Sequence, residues 1–231
     1  MRAIQFMKID YMMTRKQMYI LPVFFILSLV VGRSVGEGEM SLLVTASYML
    51  FVASIFSTAP FGYCAGKNRG FLLMLPATVR ERVVGRFLYG LSFMLLLAVL
   101  CCVLGGVYVL MGIDFSLWSV AVGLCELAVG ILLMVAEFFF FYLFGEGKGN
   151  WQYLNNVVRV APGMAMFFAA NSFIGRANTL QDTMAAGMGI DLETLTGKTM
   201  RIGWAALAAA LLLTVAAVVI CAKVIEKRDY A

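Results

Sequence analysis

The sequence predicts an all-α, polytopic membrane protein, and three observations carry that prediction. Hydrophobic residues make up 62% of the 231-residue chain, the mean hydropathy is +0.91, and the charged residues, 13% of the total, fall between long apolar runs. A chain of this size has too little interior to hide so much apolar surface in one aqueous core. Helices satisfy their own backbone groups in lipid, so apolar runs alternating with charged connections read as the spans and loops of one transmembrane domain over 1–231.

An apolar run needs about 20 residues to cross a hydrocarbon core of roughly 30 Å. Six runs approach that length: 18–32, 42–63, 87–111, 120–144, 157–173 and 204–222. The first is short, and the fifth is short and carries Pro162. Arg2, Lys8, Arg15 and Lys16 precede the first run, so a secretory signal is its rival reading. No small-x-small cleavage site closes that run, since Val30, Val31, Gly32 and Arg33 are a poor substitute, and it is read as a retained helix.

Six spans with both termini inside put fourteen of the eighteen basic residues on the inner side and leave Arg33, Arg176, Lys198 and Arg201 outside. An odd number of spans mixes the charges. The expected location is a bacterial cytoplasmic membrane. The net charge of +5 does not form one stripe, which argues against nucleic acid and for lipid headgroups as the partner of the basic residues.

Several chemistries are excluded. The chain has no histidine, hence no histidine base, triad or imidazole metal site, and no catalytic or metal site is expected. Cys64, Cys101, Cys102, Cys125 and Cys221 lie in or beside apolar runs without metal-type spacing and read as small hydrophobes. The Gly145, Glu146, Gly147, Lys148, Gly149 loop lacks the GxxxxGK[ST] spacing and a preceding strand, so it reads as a helix connector. Any use of ATP requires a second polypeptide.

The inner connection between the second and third runs is the most informative segment. A plain loop is polar, whereas Lys67, Asn68, Arg69 and Gly70 lead into an apolar turn, Phe71 to Leu75, that Pro76 ends. Thr78 with Glu81 three residues on is a capping box that starts the next helix. Phe71, Leu72 and Leu75 beside Arg69, Arg80 and Arg82 suit docking into a protein groove by apolar anchors and rim charges. The plainer reading is a helix resting on the lipid surface.

At these residues the chain resembles the type-2 ABC transporter permeases, the compact six-span subunits of bacterial exporters. Leu75, Pro76, Ala77, Thr78, Val79 and Arg80, followed by Val83, Val84, Gly85, Arg86, Phe87 and Leu88, match the family's Leu-Pro, small or polar, basic pattern leading into the third span. Lys8, Ile9, Asp10, Tyr11, Arg15 and Lys16 resemble its amphipathic N-terminal segment. The likeness covers the chain in topology and is sharp over about thirty residues. It implies a coupling helix after the second span, formed here by Arg69, Phe71, Leu72, Leu75, Pro76, Arg80, Glu81 and Arg82. Two permease copies, or this chain with a sister subunit, line a path. Two separate ATPase subunits holding ATP and Mg dock below on the coupling helices.

The outer segment 174–203 is long for a helix connection; family members place short re-entrant helices there, and a floppy loop is the alternative. Glu126 and Glu137 lie eleven residues apart on one face of the fourth span, where carboxylates face protein or water and carry either a substrate or proton role or a structural one. Sixteen methionines and eighteen phenylalanines suit amphipathic peptides or other hydrophobic cargo, and ordinary lipid-facing packing explains them equally well. Two other classes remain in view: a substrate-binding membrane subunit of an uptake system, and a non-transporting scaffold or immunity protein. Co-purification with a neighbouring ATPase separates them.

Overall fold

The computed structural model describes residues 2–35, 39–64, 78–112, 116–144, 168, 172 and 192–229. Among them every regular element is helical: α1 Arg2–Met18, α2 Leu21–Val35, α3 Glu39–Ser57, α4 Ala59–Cys64, α5 Val79–Leu110, α6 Leu117–Phe144 and α7 Leu192–Asp229. Four helices are long and apolar enough to cross a membrane, over Ser41–Phe61, Val79–Leu110, Leu117–Leu143 and Thr196–Lys227. The bent pair α1–α2 makes a fifth if counted as one span. The fifth run of the sequence reading, 157–173, lies outside the described residues apart from positions 168 and 172.

Local chemistry explains where the helices break. Pro22 has no N–H, and its ring clashes with the carbonyl four residues back, so α1 cannot run on into α2. The two helices meet at 62°. At fifteen residues, α2 is about 22 Å long, less than the hydrocarbon thickness. Pro60 breaks α3 from α4 in the same way. At the start of α5 the Thr78 N–H donates to Glu81 Oε2 at 3.0 Å, and the Glu81 N–H donates to Thr78 Oγ1 at 3.3 Å. This is the capping box expected from the sequence. At its other end Gly112 takes φ +80°, the left-handed turn that glycine enters without a Cβ penalty. Ser116 Oγ then accepts from the Ser119 N–H at 3.4 Å and caps α6.

The last helix departs from the sequence reading. Residues 192–203, assigned to the outer connection of short helices, are the first turns of α7, which continues unbroken to Asp229. Lys198 and Arg201 interrupt the apolar pattern of the sequence, but a charged side chain does not oblige a helix to stop. Residues 174–191 lie outside the described residues.

The core forms where α3, α5, α6 and α7 meet, with Leu50, Phe87, Met94, Met134, Phe138 and Ala210 buried together. Small residues set the close crossings. A Cβ on Gly32 of α2 would overlap Thr45 Oγ1 of α3, and one on Gly90 of α5 would sit 2.9 Å from the Phe138 ring of α6. Among the described helices α6 pairs most extensively with α7, and α1 lies against α5.

Candidate functional site

The site is built at the end of the bundle that carries Cys64 and Thr78, the residues flanking 65–77. There α1 lies across the base of α5. A Cβ on Gly85 would stand 2.6 Å from Phe6 Cβ and 2.8 Å from the Ala3 carbonyl oxygen, so the crossing requires a glycine. The buried stripe of α1 is Phe6, Asp10 and Thr14, spaced four apart, and two of the three are polar.

Each polar group on this stripe meets α5. Asp10 Oδ2 lies 3.9 Å from Arg86 Nε, and Asp10 is only 2% exposed. Burial pushes its carboxyl up to about 6, with Arg86 opposing the shift. The Tyr11 hydroxyl and Ser92 Oγ are 2.7 Å apart, and Thr14 Oγ1 lies 3.0 Å from the Tyr89 hydroxyl. Tyr89 also donates to the Phe56 carbonyl of α3 at 3.4 Å. In a continuous helix that carbonyl would receive the N–H of residue 60, which is proline.

The far side of Arg86 faces aromatic rings. Its guanidinium carbon lies 4.6 Å from the centroid of Phe61 in α4. Phe61 packs on Phe138, Phe141 and Tyr142 of α6 with centroids 5.0, 4.9 and 5.1 Å away. Contacts thus run without a break from Asp10 through Arg86 and Phe61 to Phe138, tying α1, α5, α4 and α6 together.

Arg69, Phe71, Leu72, Leu75 and Pro76 lie outside the described residues. Arg80, Glu81 and Arg82 form the first turn of α5, with Arg80 exposed and the other two half-buried. Glu81 Oε2 is engaged by both the N–H and the hydroxyl of Thr78, so this acid starts the helix. Higher in the bundle, Glu126 meets Ser47 of α3, whose Oγ is 2.7 Å from Glu126 Oε1. Glu137 is 1% exposed on the same face of α6, about 17 Å along the helix from Glu126. No group of three or more Asp, Glu or Cys side chains suited to a metal occurs among the described residues.

Sequence reasoning missed the seam of Asp10, Tyr11, Thr14, Arg86, Tyr89 and Ser92. The available signal was Asp10, the one acid in a basic segment, placed four residues before Thr14 on one helix face.

Comparison with curated proteins and with solved structures returned no match. A family model described as ABC-2 family transporter protein matches residues 5–226, from the first turn of α1 nearly to the end of α7. With four to five helices able to cross a membrane and a match over almost its whole length, the chain belongs to the ABC-2 transporter family as a membrane permease.

Proposed function

We propose that this permease is the membrane subunit of an ATP-driven exporter in a bacterial cytoplasmic membrane, with both termini on the cytoplasmic side. Two copies, or this chain and a sister subunit, line the path, and two ATPase subunits holding ATP and Mg work from below. Amphipathic peptides or other hydrophobic molecules are the cargo class that the Met- and Phe-rich helices suit.

The observation that carries the reading is the build of α5. It is one helix of 32 residues, about 48 Å, capped at Thr78 directly after 65–77 and clamped at its base by α1, α4 and α6. A push on 65–77 acts on a stiff, anchored rod. On this reading Phe71, Leu72 and Leu75 are the apolar anchors for the ATPase, Arg69, Arg80 and Arg82 are rim charges, and Pro76 separates the docking turn from the lever. The work comes from the ATPase binding two states of the bundle unequally.

The test is co-purification with a candidate ABC ATPase subunit expressed together with the wild-type chain. Leu72→Asp with Leu75→Asp abolishes association and leaves membrane insertion intact. Retention of the ATPase by the double variant overturns the docking assignment.

A further inference from the structure

The buried carboxyl of Glu126 carries an inference that does not depend on the exporter reading. Glu126 is 7% exposed, and its Oε2 is buried without a hydrogen bond among the described residues. No Lys or Arg among the described residues pairs with it; the nearby titratable groups are the thiols of Cys101 on α5 and Cys125 on α6. Leu43, Val44 and Val122, one turn away on α3 and α6, form an apolar cluster beside it. An unpaired carboxylate in such surroundings is costly, whereas a carboxylic acid needs only one acceptor.

Counting protons locates that acceptor. Ser47 Oγ stands 2.7 Å from Glu126 Oε1 and 3.0 Å from the Leu43 carbonyl oxygen. A serine hydroxyl has one hydrogen, so two oxygens that themselves have none can only share it in a weaker three-centre bond. Both contacts become full hydrogen bonds if Glu126 supplies the second hydrogen. The acid O–H then donates to Ser47 Oγ, and the Ser47 O–H donates to the Leu43 carbonyl, the usual acceptor of a serine within a helix. Bonds in such a chain polarise and strengthen one another.

We propose that Glu126 is a proton-binding site inside the membrane, held in this conformation as the neutral carboxylic acid and donating its proton to Ser47 Oγ. The ligand is the proton itself. Parting α3 from α6 breaks the bond to Ser47 and admits water, so the acid releases H⁺ to water and leaves a carboxylate; closing the helices takes one proton back. The opening of this helix pair is therefore linked to proton exchange.

The test is infrared spectroscopy of the full-length protein in lipid vesicles at neutral pH, with ¹³C-carboxyl glutamate incorporated. Subtracting the Glu126→Gln spectrum from the wild type isolates this side chain from Glu137. The expected difference is the loss of one carboxylic-acid C=O band per chain with the carboxylate bands unchanged. In Ser47→Ala the same band moves to the frequency of an acid with no acceptor. Loss of carboxylate intensity in Glu126→Gln overturns the proposal, as does a band that Ser47→Ala leaves in place. Glutamine is a neutral isostere of the acid, so failure of Glu126→Gln to insert and fold counts equally against it.

Discussion

Asp10 Oδ2 and Arg86 Nε stand 3.9 Å apart across the contact between the N-terminal helix and the base of α5, with Asp10 almost wholly buried. The pair is too long for a hydrogen bond, and burial outweighs the attraction of Arg86 in setting the proton affinity of Asp10.

A pH dependence with a definite sign follows. The folded protein holds the Asp10 proton up to about 6, while the unfolded chain releases it near 3.8. Stability from this group is therefore fully present below pH 3.8 and is lost as pH rises through 6, by on the order of 2–3 kcal/mol. Asp10→Asn cannot titrate. Thermal unfolding of wild type minus Asp10→Asn, followed from pH 3.5 to pH 7, should fall across that window and level off above it. A flat difference curve removes Asp10 from the account.

Tyr89→Phe takes away the donor to the Phe56 carbonyl, the one that Pro60 leaves without its helical N–H, and the partner of Thr14 Oγ1. Both groups are buried, so a loss of about 1–2 kcal/mol is expected. Thr14→Val in the Tyr89→Phe background should cost less than in the wild type, because the two side chains share one bond. Additive losses in denaturant unfolding of the four proteins refute that coupling.

Gly85 permits α1 to lie on α5, since any Cβ there runs into Phe6 Cβ and the Ala3 carbonyl oxygen. Backbone cannot yield as a side-chain tip can, so Gly85→Val should weaken the docking of α1 by about 1–3 kcal/mol. Arg15 and Lys16 are exposed on α1 and report this directly. Tryptic cleavage after them in detergent-solubilised protein should speed up by about tenfold per 1.4 kcal/mol lost, while cleavage after Arg201 in α7 stays unchanged. Equal rates at Arg15 in the two proteins mean that α1 is held elsewhere.

What the sequence determined by itself was everything that short-range chemistry decides. Apolar run lengths marked the membrane class and four of the crossing helices. Pro76 next to the Thr78–Glu81 box located a helix start at Thr78, because a cap is made within three positions of the chain. The sequence suggested a short helix there ahead of a span from 87, whereas the structure runs one helix from Val79 to Leu110, since nothing between the cap and the apolar run breaks it. Hydropathy was a weaker guide to helix ends: Lys198 and Arg201 looked like a connection, yet α7 begins at Leu192, since a charged side chain does not oblige a helix to stop.

Only tertiary structure decided which polar residue meets which. Asp10 and Arg86, Thr14 and Tyr89, and Ser47 and Glu126 lie more than seventy positions apart. A serine or glutamate in an apolar run can face lipid, water or another helix at the same hydropathy. Its partner depends on where Gly85, Gly90 and Gly32 let helices approach, and that is a property of packed faces, not of any stretch of chain.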